Sequence, residues 1–114
     1  MSVIMKAIQR LITHPQHGFT EKDFIEDGYH LNARNYAYDI EKLIDEELIH
    51  VRHTSPAGRP YTSYKAANAE QIHKLAQLYN SKLQAGRNRK SYANFTPFSE
   101  SQIQHAITQL GKQV

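Results

Sequence analysis

Apolar residues recur at steps of three and four over four stretches of the chain, and this spacing predicts amphipathic helices. The first begins near Ser2 and ends near His14, because Pro15 disfavours helical geometry in the residue before it. A shorter helix is predicted after Thr20, which stands three residues before Asp23 in the form of an N-terminal capping box. Its natural end is Gly28.

The third predicted helix spans residues 32–46, with Asn32 as its N-cap. A rotation of about 100° per residue places an apolar row on one side, and this row should be buried. It consists of Tyr36, Ile40, Leu43 and Ile44. The opposite side is rich in hydrogen-bond donors: Arg34, Asn35, Tyr38 and Lys42. The helix closes on three acids, Asp45 to Glu47, which is unfavourable for the helix dipole.

A β-hairpin is predicted over residues 48–66. Ile49 and Val51 alternate with His50 and Arg52, which indicates a half-buried strand. Two prolines and a glycine between residues 54 and 60 favour a turn, and the aromatic and β-branched residues 61–65 form the returning strand. The turn is longer than two residues, so its tip should project.

A fourth helix over residues 69–85 carries one apolar stripe: Ile72, Leu75, Ala76, Tyr79 and Leu83. This stripe must either pack back on the first helix or pair with a second subunit, and a homodimer formed through the helix is one expectation. A basic linker, residues 86–91, follows, and a capping box at Ser99 starts a last helix that ends before Gly111.

The order of three helices and a hairpin over residues 4–66 resembles the winged helix-turn-helix family, in particular its small single-domain regulators from bacteria and phages. The resemblance implies a mostly α fold with a small β-hairpin. It divides the chain into a winged helix-turn-helix domain of residues 1–66 and a C-terminal helical extension of residues 67–114.

The resemblance also implies a sequence-specific double-stranded DNA-binding protein that regulates transcription. In the family, the second helix of the pair, here residues 32–46, lies in the major groove, and the wing, here residues 48–66, rests on the flanking backbone or minor groove. The residues facing DNA would be Asn32, Arg34, Asn35, Tyr38 and Lys42 from the helix and Arg52, Arg59 and Lys65 from the wing. Arg34 and Asn35 suit guanine and adenine edges, and Arg59 suits a narrow minor groove.

Charge is unevenly distributed along the chain. The total is +3 with an isoelectric point near 9.2. Residues 1–66 carry eight basic and nine acidic side chains, a net −1, whereas residues 67–114 carry six and two, a net +4. Arg87, Arg89 and Lys90 would therefore supply the missing phosphate contacts if the fourth helix extended beside the wing.

A protein-interaction module is the alternative, because winged domains also bind proteins and a net-negative one lacks the basic footprint of a strong DNA binder. Such an accessory or inhibitory factor would use the acidic residues 45–47 and the wing.

Catalysis, cofactors and metals are not expected. No phosphate loop, nucleophile elbow or paired-histidine helix motif occurs. His50 and His53 should point to opposite faces of their strand, and His14 and His17 flank Pro15 without an acidic partner nearby. The absence of cysteine fits a reducing compartment, and no apolar run approaches a membrane span, so a cytoplasmic location is the expectation.

Overall fold

A computed structural model of the protein describes residues 3–26, 33–92 and 95–111. The elements are α1 (Val3–Thr13), α2 (Glu21–Glu26), α3 (Ala33–Ile44), β1 (Ile49–Thr54), β2 (Pro60–Lys65), α4 (Ala69–Ala85), a short 3-10 turn (Lys90–Tyr92) and α5 (Glu100–Gly111). The prediction of a mostly helical chain with a two-stranded antiparallel hairpin and further C-terminal helices is confirmed. The predicted caps at Ser2, Gly28 and Asn32 lie outside the described residues.

The apolar stripe of α4 is covered inside the single chain. Its five residues are buried, and α4 packs mainly along α1, with further contacts to α3 and α5. A dimer formed through this stripe would require α4 to leave the core, so the stripe no longer supports the predicted homodimer. Dimerisation itself stays a prediction.

The buried row of α3 differs from the predicted one. It consists of Ala33, Ala37, Ile40 and Ile44, and the two alanines let the helix approach its neighbours closely. Leu43 lies about 90° around the helix from this row and is 48% exposed. The prediction that Leu43 is buried was therefore wrong. The opposite side was predicted correctly, because Arg34, Asn35, Tyr38 and Lys42 are all exposed.

The hairpin buries one residue of β2 on each of its two faces. His50 pairs with Tyr64 across the strands, and Tyr64 is buried against Phe19, with their ring centroids 5.4 Å apart. On the other face Val51 pairs with Ser63, and Ser63 is buried while Val51 is half-buried. Ile49, on the same face as Val51, is 37% exposed. The predicted half-buried strand is therefore found at Val51 but not at Ile49.

A backbone bridge attaches the hairpin to the segment between α1 and α2. The Phe19 amide donates to the Tyr64 carbonyl at 3.0 Å, and the Tyr64 amide donates back at 2.9 Å. β2 is therefore hydrogen-bonded on both of its edges, to β1 along one edge and to Phe19 on the other. This bridge fixes where the hairpin stands relative to the helices.

The tip of the hairpin is a three-residue loop, Pro56 to Gly58. The Gly58 amide donates to the Ser55 carbonyl at 2.8 Å, and the Ser55 amide donates to the Arg59 carbonyl at 2.9 Å. Gly58 has a positive φ of 82°, which is typical of a glycine that closes such a loop. The predicted projecting tip is confirmed.

The acidic end of α3 is held by α4. Glu46 pairs with Lys74 and accepts a hydrogen bond from Gln71 at 3.3 Å. Gln71 is buried, and its side chain also donates to the Glu47 carbonyl at 2.8 Å and accepts from the Ala67 amide at 2.8 Å. The helix dipole disfavours a negative charge at the C-terminal end of α3. The contact of Glu46 with α4 explains why an acid stands there. Among the described residues, no helix has the length and apolar character to cross a membrane.

Candidate functional site

An open groove of about 980 Å³ runs between the starts of α2 and α3 on one side and the hairpin on the other. Ala33 and Arg34 contribute from α3, and residues 20–22 contribute from α2. The hairpin supplies its loop and most of β2, namely Ser55, Pro56, Arg59, Pro60, Tyr61, Thr62 and Tyr64. The groove therefore joins the two elements that the sequence predicts to act together.

Three cations line this groove. Arg34 comes from α3, Arg59 from the hairpin loop and Lys22 from α2, while Glu21 is the one acid in the lining formed by the described residues. The local charge is therefore +2, although residues 1–66 as a whole are net negative. Sequence reasoning identified Arg34 and Arg59 but missed Lys22, because only the folded chain places the start of α2 opposite the wing.

Arg34 is held by Tyr38, one turn further along α3. The Arg34 Nε donates to the Tyr38 hydroxyl at 3.1 Å, and the guanidinium carbon lies 5.4 Å from the centroid of the tyrosine ring. This hydrogen bond is the main cause that raises the pKa of Arg34. The guanidinium is thus charged and oriented while its side chain remains exposed.

Tyr38 is in turn placed beside the hairpin. Its ring centroid lies 6.3 Å from that of His50, and His50 meets Tyr64 edge-on at 4.9 Å. The Nε2 atom of His50 lies 2.9 Å from the Glu41 carboxylate, which also accepts a hydrogen bond from the Leu48 amide at 2.8 Å. A continuous set of contacts therefore links the start of β1 to the exposed side of α3.

Two acids near this site, Glu41 and Asp23, have partners within the chain. Glu41 faces His50 and the start of β1, as described above. Asp23 accepts from the Thr20 amide at 2.7 Å, as the predicted capping box requires, and lies 3.4 Å from the Arg10 guanidinium. Asp39, by contrast, remains exposed on α3. The acidic count of residues 1–66 thus overstates the negative charge that the groove presents.

The other predicted contact residues divide into two groups. Asn35 and Lys42 are exposed beside Arg34 and Tyr38 on α3, and Arg52 pairs with Thr62 across the hairpin on the side that faces the groove. Lys65, in contrast, pairs with Ile49 at the base of the hairpin and does not line the groove. Asn32 lies outside the described residues.

The basic linker is separate from the groove. Arg87, Arg89 and Lys90 are exposed, and the Arg89 guanidinium lies 6.0 Å from the Tyr92 ring centroid. The predicted phosphate contacts of the linker required α4 to extend beside the hairpin. In the described part of the chain α4 packs along α1 instead, and the linker residues do not line the groove.

The two histidines of β1 lie on opposite faces of the hairpin. His50 contacts Glu41 and Tyr64, whereas His53 lies 2.9 Å from the Ser63 hydroxyl and stacks on Tyr61, so the two histidines face opposite sides of the hairpin as predicted. Residues 3–26, 33–92 and 95–111 hold no cluster of three side chains suited to a metal ion.

Comparison with known proteins gives one match. No similar chain was found among curated proteins or among solved structures. A family model matches residues 18–113, a segment that includes the whole described lining of the groove and the helices α4 and α5. Because this match covers most of the sequence, the chain belongs to the family described as "Uncharacterised protein PM1773".

Proposed function

We propose that the protein is a sequence-specific double-stranded DNA-binding protein of the winged helix-turn-helix type that regulates transcription. In this proposal α3 enters the major groove, and the hairpin of β1 and β2 rests on the flanking backbone or in the minor groove. The role requires neither catalysis nor a cofactor.

The observation that carries the proposal is the shared groove of α3 and the hairpin loop. It presents Arg34 on one wall and Arg59 on the other, with Lys22 beside them. Arginine side chains on two walls of one open cleft suit a ligand with regularly spaced negative charges, such as a nucleic-acid backbone. The exposed row on α3, which adds Asn35 and Lys42, supplies donors for base edges.

Binding of random duplex DNA, measured by fluorescence anisotropy across a salt series, tests the proposal. The affinity of the wild-type protein should fall steeply with salt. Arg34→Ala and Arg59→Ala should each weaken binding, and Arg59→Ala should also reduce the slope of log affinity against log salt by about 1, as expected for a lost backbone contact.

Lys82→Ala is the matched control, because it removes one positive charge from α4, outside the groove lining. It should leave the slope unchanged if the groove is the site. Absence of binding at low salt, or equal losses in all three variants, would contradict the proposal. Thermal unfolding of each variant establishes that the fold is intact.

A protein-interaction role is the second candidate, and exposed apolar side chains on the hairpin favour it. Ile49 is 37% exposed, and Tyr61, which also lines the groove, is 45% exposed. The acidic end of α3 supports this role less than the sequence indicated, because Glu46 is engaged by Lys74. A partner captured by the wild type and lost with Ile49→Glu, together with absence of DNA binding, would favour this candidate.

A further inference from the structure

We infer that Arg34 and Tyr38 act as one guanine-reading unit, in which Tyr38 is the positioning residue and Arg34 makes the base contact end-on. The inference rests on the proposed DNA-binding function, because it assigns a base to the same surface. It adds which atoms of the arginine read the base and why a tyrosine stands one turn after the arginine.

The hydrogen bond to Tyr38 limits how Arg34 can contact a base. An arginine can offer two parallel N–H groups either from its side, using Nε and one Nη, or from its end, using both Nη atoms. The Arg34 Nε already donates to the Tyr38 hydroxyl at 3.1 Å. Among the described residues, no acceptor forms a hydrogen bond with its Nη atoms. The end-on pair of N–H groups, here called the fork, is therefore available to a ligand.

Guanine is the base that fits this fork. In the major groove guanine presents two adjacent acceptors, O6 and N7, which match two parallel donors. Adenine presents an acceptor beside a donor, and a donor facing the fork would be unfavourable. A lysine could provide the charge at this position but not the planar pair of donors.

The orientation of Tyr38 is supported from behind. His50 lies beside the Tyr38 ring and is itself in contact with Tyr64 and Glu41. Tyr38 is 39% exposed, so its ring is partly covered while the arginine that it holds remains accessible. A guanidinium fixed before binding loses less conformational entropy when it meets the base, and this preorganisation is the contribution we assign to Tyr38.

Selection of bound sequences from a random duplex DNA pool tests the unit. The wild type should enrich sites with guanine at one position or more. Arg34→Ala removes the guanidinium and should lose guanine discrimination at one of these positions by roughly 5- to 150-fold, the range expected for one bidentate contact. Tyr38→Phe keeps the ring, removes the hydroxyl and should weaken the same preference roughly two- to tenfold.

Tyr92→Phe is the control for the loss of a tyrosine hydroxyl, because Tyr92 also lies under an arginine but outside the groove. Its selected sites should match those of the wild type. A duplex with deazaguanine, which lacks N7, at the assigned position should bind the wild type more weakly and Arg34→Ala no differently.

The outcomes separate this inference from the proposed function. If the wild type enriches no sequence, sequence-specific DNA binding itself is contradicted, and the guanine unit with it. If the wild type enriches sites but Arg34→Ala retains every guanine preference, the base assignment is overturned while DNA binding stands. If Arg34→Ala loses the preference and Tyr38→Phe does not weaken it, the positioning role of Tyr38 is overturned.

Discussion

The backbone of Gly18 lies directly against the carbonyl group of Tyr64. A Cβ atom at Gly18 would stand 1.7 Å from the Tyr64 oxygen, and Gly18 has a positive φ of 62°. The next residue, Phe19, makes the two backbone hydrogen bonds that attach β2 to the helices. At Gly18, the backbone before α2 therefore packs directly against the backbone of β2 and leaves no room for a side chain.

Gly18→Ala should destabilise the fold by more than about 2 kcal/mol, because the left-handed backbone strain of about 1–2 kcal/mol is added to a clash with backbone atoms. Gly58→Ala is the matched control, since its φ is also positive but no atom lies within 4 Å of its Cβ position. It should show the strain alone. Urea unfolding measures both, and equal losses would contradict the close approach.

The helices could be predicted from the sequence because their signals are local. The capping box at Ser99 forms in both directions, with the Ser99 amide donating to Gln102 at 2.8 Å and the Gln102 amide donating to Ser99 at 3.2 Å. Asn68 caps α4 in the same way, accepting from the Gln71 amide at 2.9 Å. Apolar spacing over α1 and α4 then identified the buried stripes, because a helix turns by a fixed angle per residue.

The mistaken or missing parts all depend on contacts between distant segments. Tyr64 is buried because it meets Phe19, a residue from before α2. Lys22 joins the groove only because the hairpin stands opposite α2. Glu46 is explained by Lys74, which lies 28 positions along the chain. Spacing within one element carries no information about such partners.

Asp45→Gly should stabilise the protein by about 1 kcal/mol, because Asp45 ends α3 in a left-handed conformation that glycine adopts without strain. Its φ is 56°, and the Glu46 amide closes the turn on the Glu41 carbonyl at 3.2 Å. Asp39→Gly, in the middle of the same helix, should destabilise by about 0.5–1 kcal/mol. Chemical unfolding should thus give opposite signs, and two losses would contradict the assigned cap.

Exchanging the charges of Glu46 and Lys74 should restore the stability that either single reversal removes. The hydrogen bond from Lys74 is the main cause that lowers the pKa of Glu46 from its ordinary value of 4.5. The hydrogen bond from Gln71 lowers it further. The stabilisation should therefore be complete above pH 4.5 and lost as the pH falls through the lowered pKa of the folded state.

Unfolding of Glu46→Gln and the wild type at neutral and acidic pH measures this loss. Glu47→Gln is the control, because the Glu47 side chain is exposed and only its carbonyl contacts Gln71. A stability difference between wild type and Glu46→Gln that persists unchanged in acid would contradict the ion pair.

Tyr79 should make the fold sensitive to alkali. It is fully buried in the core beside Phe95 and Phe98, and no hydrogen-bond partner of its hydroxyl is found among the described residues. Burial raises its pKa to about 12. Because the unfolded chain ionises near the ordinary value of 10, the folded state loses stability as the pH rises through this range. The loss should reach about 2–3 kcal/mol near pH 12.

Tyr79→Phe removes the group that ionises, so its unfolding free energy should fall less than that of the wild type between about pH 10 and pH 12. At neutral pH the substitution should be neutral or slightly stabilising, because it deletes a buried polar atom. Tyr61→Phe, at an exposed ring, should follow the wild type at every pH. Tyr64 is also buried, and burial raises its pKa, so part of the stability loss at high pH should remain in all three proteins. Identical pH profiles for Tyr79→Phe and the wild type would show that the Tyr79 hydroxyl ionises as freely in the folded state as in the unfolded chain.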